Sequence, residues 1–398
     1  MSGSAGAPAR PWEAQAFRPF AGAPAVVFAR AAARSALFTG VRAGGDEVVV
    51  GSAAGQDAQD TAVRARGELI ERMGNIVAGR EAEAGPGVRA TYRRLHRAGR
   101  PAVDPALLVH GARGADGDVR DAALLWAVGR SLTDGGDVLV PAGAVYLRHR
   151  PPPGCRAGIS AGSTGVAAHP DEATARDHAL WEILERDLIR RSWYGDDTEP
   201  PVVVPWRADP GLCESLGLLG LEATAFLLPA PAGAVCVVVC VHAPDGTGQA
   251  FGARCGPAGR YPALAGKAAY EALMVRWSMD TPVARETWAR WAGATEPATA
   301  LEHALWAYHR QDSLALWLAE ARHDHAGPQA PVGYHAGPGP LLAAHTGADV
   351  IAVPTPSPQG TEAGLRVVRA VAPGALPLPG GPAGAAGPGR SGRPHPFG

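Results

Sequence analysis

Short apolar, β-branched runs open the chain. Ala25-Val26-Val27-Phe28 and Val48-Val49-Val50 read as strands, and they lead into a helix over about residues 60–78, where apolar positions recur at helical spacing. A second strand-like stretch runs from Val138-Leu139-Val140-Pro141 through Val145-Tyr146-Leu147 and stops at the breaker Pro151-Pro152-Pro153-Gly154. A polar loop, Ser160 to Gly165, then precedes a long helix over about residues 171–193. Ala223 to Val241 carries no charge, but Pro229, Pro231 and Gly233 interrupt it, so it predicts two buried strands around a turn rather than a membrane span. A third helix is Ala/Leu-rich from Ala263 to Leu273, residues 284–323 favour helix, and Leu365 to Val371 reads as a late strand. Both ends are rich in Gly, Ala and Pro. The pattern therefore predicts a poorly ordered segment over residues 1–24, one domain over 25–372 and a flexible tail over 373–398, from which loss of Pro394 to Gly398 is expected to leave thermal stability nearly intact.

Two of these helices carry the same signature. Glu68-Leu69-Ile70-Glu71-Arg72 and Glu182-Ile183-Leu184-Glu185-Arg186 each spell Glu-x-x-Glu-Arg around two apolar residues. Positions i and i+3 share a helix face, so each helix aims two carboxylates one way. A single copy is usually a solvated face with weak ion pairs. Two copies in apolar settings predict four carboxylates meeting at one site, where repulsion and desolvation call for a cation. A hard divalent metal suits them, and Mg²⁺ carrying a polyphosphate is its commonest biological form. The third helix adds Lys267 and Glu271 at i and i+4, so three related helices are predicted to build one polar site.

Composition narrows the classes. The net charge is −1 with mixed signs, and no basic run points to nucleic acid or to a membrane surface. Lys267 is the only lysine among 37 basic residues and Asn75 the only asparagine, a bias that singles out Lys267. None of the five cysteines is spaced as a zinc framework, and Cys236 and Cys240 share one face of a strand as core thiols. The N-terminus lacks the regions of a signal peptide, so a cytoplasmic location is the expectation.

With these motifs in view, the chain resembles the YcaO family, and most closely its azoline-forming cyclodehydratases of ribosomal peptide natural-product biosynthesis. The resemblance rests on Arg66 to Arg72, on Ser163-Thr164-Gly165 followed by Asp171-Glu172-Ala173 and Glu182 to Asp187, on Leu365 to Arg369, and on the ending Pro394-His395-Pro396-Phe397-Gly398. It implies an α/β (α+β) ATP-binding fold, internally repeated, with mixed sheets and Glu-bearing helices around one nucleotide site. Glu68, Glu71, Glu182 and Glu185 then coordinate Mg²⁺. Ser163, Thr164, Arg72, Arg186, Lys267 and Glu271 contact ATP, while Arg186, Lys267, Pro394, Pro396 and Gly398 serve the reaction. The chain departs from the family's pattern at Arg64, where many members have Ser, at Thr164 for Asn, at Lys267 for Arg and at Gly398 for a final Pro.

The implied chemistry is ATP-dependent ring closure. A Cys, Ser or Thr side chain of a precursor peptide adds to the preceding amide carbonyl, the oxyanion takes the γ-phosphoryl group, and phosphate leaves a thiazoline or oxazoline. Within the family, backbone thioamide or amidine formation is the alternative; a catalytically silent scaffold that recruits peptide is another. The chain length leaves no room for a fused recruiting domain, so the resemblance implies a separate E1-like or ThiF-like leader-binding partner. A downstream flavin dehydrogenase and a homodimer are further expectations.

Overall fold

The computed structural model describes residues 12–40, 47–109, 118–160, 162–195, 199–206, 210–292, 296–319, 321–324, 337–379 and 393–398. Three sheets and the helices packed on them form an α+β architecture. Val27–Arg34 is the middle strand of an antiparallel three-stranded sheet, with Gln15–Phe17 and Val48–Gly55 beside it. A five-stranded sheet follows the order Ala250–Pro257, Ala234–His242, Glu222–Leu228, Val202–Val204, Arg322–His323. A six-stranded sheet follows Val88–Ala90, Leu124–Ser131, Ile351–Pro354, Arg366–Val371, Val166–His169, and Asp137–Pro141 pairs with Leu124–Ser131.

Three helices dominate. The first Glu helix, Ala58–Ala84, lies on the three-stranded sheet, and the Lys267 helix, Tyr261–Ser278, lies on the five-stranded one. The second Glu helix, Glu172–Tyr194, packs on Arg366–Val371 and Val166–His169 and also reaches Ala250–Pro257. It therefore sits between the two larger sheets, where Leu180, Leu184, Leu188 and Ile189 share a core with Phe226, Val238 and Phe251. Asp57 and Asp171 cap the two Glu helices by accepting from the Asp60 and Thr174 N–H groups, at 2.7 and 2.8 Å. Gly195, with φ 82°, ends the second.

The internal repeat shows in how helix and sheet touch. A Cβ on Gly51 would lie 2.1 Å from the Ala65 carbonyl oxygen, and one on Gly252 would lie 2.1 Å from that of Ala268. Each glycine lets a helix backbone rest directly on a strand. That close approach brings Glu68 within reach of Ser52 and Glu271 within reach of Arg254, so the same device seats the acidic helix in both units.

Several expectations change. The chain after Pro141 turns through a short helix, Ala142–Val145, and not a strand over Val145 to Leu147. The buried side chain of Asn75 explains it: Nδ2–H donates to the Val145 carbonyl and Oδ1 accepts from the Leu147 N–H, so these groups need no neighbouring strand. The first Glu helix runs past residue 78 to Ala84. Of the segment 1–24, residues 1–11 lie outside the described residues, and Gln15–Phe17 is a paired strand. Of the tail, 380–392 lie outside the described residues, whereas 373–379 and 393–398 pack on the domain. Ala161 of the polar loop is also outside them. The two strands foreseen between Ala223 and Val241 form as a hairpin, with Cys236 and Cys240 fully buried. Among the described residues no helix is long and apolar enough to cross a membrane.

Candidate functional site

The three helices turn their carboxylates toward a common space. Glu68 and Glu71 act electrostatically on Glu182 and on each other, Glu68 on Glu271, and Glu185 on both Glu182 and Glu271. Backbone donors fix their orientation. Glu68 Oε2 accepts from the Ser52 N–H at 2.6 Å, Glu182 Oε2 from Gly165 at 3.0 Å and Glu185 Oε2 from Cys255 at 3.0 Å. Each sheet thus supplies one strand or loop N–H to one helix carboxylate.

Burial is the dominant perturbation. It raises the Glu68 carboxyl, against the lowering pull of Arg72 and of the Ser52 bond. It lifts Glu71 well above the carboxylate range, helped by Glu182 and Glu68, and it pushes Glu185 up to about 7 in spite of Arg186 and Arg254. The protein's own cations therefore leave these groups short of positive charge.

Cations rim the same space. Arg72 pairs with Glu68 and donates to the Val50 carbonyl at 2.7 Å. Arg186 Nε lies 3.6 Å from Glu185 Oε1, and Arg254 pairs with Glu271. Lys267 stands exposed on its helix, where burial of part of the side chain and then Arg254, Arg64 and Arg260 lower its pKa. Arg369 is 7% exposed; burial lowers it to about 10, with Glu182 and Glu71 opposing. Its Nη1–H donates to the Gly162 carbonyl at 2.8 Å, while Nε is buried without a partner. The arrangement can hold and neutralise a polyanion above a bed of carboxylates.

Ser163 and Thr164 lie at the rim, on the loop that Gly165 ties down. Gly165, at φ 84°, donates to Glu182 and accepts from the Ala370 N–H at 2.7 Å, and a Cβ there would strike Ile183. Next to this loop a cavity of about 400 Å³ is lined by Ile159, Thr164, Ile183, Arg190, Arg369 and Leu376, among others.

The tail reaches the same helix. Trp193 Nε1–H donates to the Arg393 carbonyl at 2.9 Å, and the charges of Arg186 and Arg190 bear on the His395 ring. Residues 186, 190 and 193 form one stripe of the second Glu helix, so Pro394 and Pro396 lie along the helix that carries Glu182 and Glu185. Gly398 ends beside Ala300 and Ala304.

The donor set fits Mg²⁺. It consists of hard oxygen ligands, Glu185 buried and Glu68, Glu71 and Glu182 half-buried. A divalent cation would favour the ionised form of Glu68, Glu71 and Glu185, whose pKa burial raises. Among the described residues no three acidic, imidazole or thiol groups close around one point. Mg²⁺ is held by one or two carboxylates, with water and phosphate completing its shell, so a face of carboxylates suits it better than a closed cage.

Sequence reasoning brought together the four motif carboxylates, Arg72, Arg186, Lys267, Glu271 and the Ser163-Thr164 loop. It gave no role to Arg254 or Arg369. Arg369 stands in the late strand, where an arginine between Val368 and Ala370 is the available signal; Arg254, likewise inside an apolar strand, carries the same one.

The family model described as YcaO cyclodehydratase, ATP- and Mg²⁺-binding, matches residues 52–376. A heterocyclase in complex with substrate and cofactor superposes with a TM-score of 0.65 at 18% identity, over 92% of this chain and 50% of that one. YcaO from Methanopyrus kandleri, bound with AMPPCP and Mg²⁺, gives 0.60 at 18% identity over 91% and 85%. The E. coli microcin synthetase McbBCD complex with pro-MccB17 bound gives 0.61 at 12% over 90% and 87%. The chain thus spans about half the length of the heterocyclase. No curated protein matches it in sequence.

Proposed function

The chain belongs to the YcaO family of ATP- and Mg²⁺-binding cyclodehydratases, and from that premise we propose that it closes Cys, Ser or Thr residues of a ribosomally made precursor peptide into thiazolines or oxazolines. The observation that carries this reading is the face where Glu68, Glu71, Glu182, Glu185 and Glu271 converge from three helices under a rim of arginines. It is built for a nucleotide polyphosphate and its cation, and no nucleophile–base pair is needed for the chemistry.

Glu68, Glu71, Glu182 and Glu185 would hold Mg²⁺, which when bound neutralises charge on the phosphates. Ser163 and Thr164 border the nucleotide, with Arg369 fixing their loop through the Gly162 carbonyl. The peptide enters beside the second Glu helix, where the cavity offers apolar walls and two guanidinium groups. The substrate thiol or hydroxyl adds to the preceding carbonyl carbon, and the oxyanion so formed attacks the γ-phosphorus. ADP departs, the substrate's nucleophile and amide nitrogen give up their protons, and the former amide oxygen leaves as phosphate. Amide oxygen alone is a poor leaving group; as phosphate it departs readily. Arg186 and Lys267 contribute by neutralising charge on the transferring group, and the tail with Pro394, Pro396 and Gly398 helps to align the peptide.

A leader-binding partner of E1-like or ThiF-like type is proposed to deliver the peptide. The expected result is a precursor that loses the mass of one water per ring only with ATP and Mg²⁺, slowly with this chain alone and rapidly once the partner is added. Mass spectrometry reads it. A gain of sulfur in place of the loss would redirect the assignment to thioamide formation, and equal rates with and without partner would remove the partner from it.

A further inference from the structure

The tail poses a physical problem. Pro394 and Pro396 have no N–H, so the segment's register must be set largely through its carbonyls. Two side-chain donors do this. Trp193 takes the Arg393 carbonyl, and His303 Nδ1, on the helix Ala300–Arg310, takes the His395 carbonyl at 2.9 Å. The His303 and His395 rings also stack, with centroids 3.8 Å apart and planes within 3°.

The tautomers follow from the partners. A carbonyl only accepts, so His303 carries its proton on Nδ1, and its Nε2 is buried without a partner. His395 Nε2–H donates to the Pro379 carbonyl at 3.0 Å, while Nδ1 accepts from the Phe397 N–H at 3.3 Å. Both rings are neutral, and burial pushes both below the ordinary imidazole value. His303 is fully buried, so its hydrogen bond and its stacking face are both committed to the tail.

We propose that His303 is a positioning residue for ring formation: it fixes the C-terminal tail against the second Glu helix by stacking on His395 and holding its carbonyl. This rests on the cyclodehydratase reading above. His303 touches neither peptide nor nucleotide and acts through the tail.

The test compares His303→Ala, His303→Phe and His303→Asn with the parent chain. Asn keeps a donor near the Nδ1 position and a flat amide, whereas Phe keeps only the stack. Ring-forming kcat is expected to fall by roughly 10- to 100-fold in Ala and Phe with KM for ATP unchanged, because a displaced aligning group slows the step without weakening nucleotide binding. Asn should restore most of it. In a cycle with His395→Ala, the double variant should be no slower than the worse single one. Carboxypeptidase should trim Phe397 and Gly398 faster from Ala and Phe than from the parent or Asn. Parent-like kcat and trimming in His303→Ala would overturn the proposal, as would fully additive losses with His395→Ala. Should the parent form no rings from any precursor, the cyclodehydratase reading fails, and trimming alone decides whether His303 holds the tail.

Discussion

An enzyme carrying Glu185→Gln is expected to fold and to lose peptide-dependent ATP turnover by at least roughly 10³-fold. Gln preserves volume, and its amide oxygen can still accept the Cys255 N–H, but it removes the charge a hard cation requires. Stability should not suffer. Burial lifts Glu185 to about 7, so the folded state holds that proton more tightly than the unfolded chain does. Stability therefore falls as pH rises from the ordinary carboxylate range to about 7, and a neutral side chain escapes the loss. Thermal unfolding at pH 7.5 should show an equal or higher midpoint, with the stabilisation by Mg²⁺–ATP gone. A well-folded variant that turns over ATP at the parent rate would remove Glu185 from the metal set.

Removal of Pro394 to Gly398 is the second large effect, and it acts on two quantities. Phe397 is 2% exposed and sits against Phe251 and Trp317, with ring centroids 6.1 and 5.8 Å away. Losing a buried aromatic of this kind costs about 3–5 kcal/mol. The tail is thus part of the core, and the sequence-based expectation that its loss spares thermal stability gives way to a marked drop in unfolding midpoint. Ring formation should fall by roughly 10²-fold or more at temperatures where the truncated chain is still folded. A Phe397→Ala chain separates the two effects: it lowers stability while leaving both prolines and His395 in place. Truncation without loss of ring formation would show that the tail serves the fold alone.

The central pattern was legible because helical spacing is a local property. Glu68 and Glu71, and Glu182 and Glu185, share faces by the geometry of one turn, and the apolar residues between them name the buried side. Position 267 stood out through composition and through its i, i+4 spacing to Glu271. What could not be read were contacts set by distant parts of the chain. Arg254 meets Glu271 across a strand–helix packing, and Arg369 reaches Gly162 some two hundred positions away. Asn75 was visible as an isolated residue type, yet only the fold shows its amide taking the place of a strand for Val145 and Leu147. Composition misled at the tail because it counts Gly and Pro and gives no weight to a single Phe397 with a waiting seat.

In the proposed reaction the amide oxygen of the peptide is carried away on phosphate. A precursor labelled with heavy oxygen at the carbonyl preceding the reactive Cys or Ser, incubated with enzyme, partner, ATP and Mg²⁺, tests this directly. Mass analysis of the released phosphate should find one labelled oxygen per ring formed, with the label absent from the ring-bearing peptide. Rings accompanied by unlabelled phosphate would contradict this reaction, since ATP would then be spent somewhere other than on the amide oxygen.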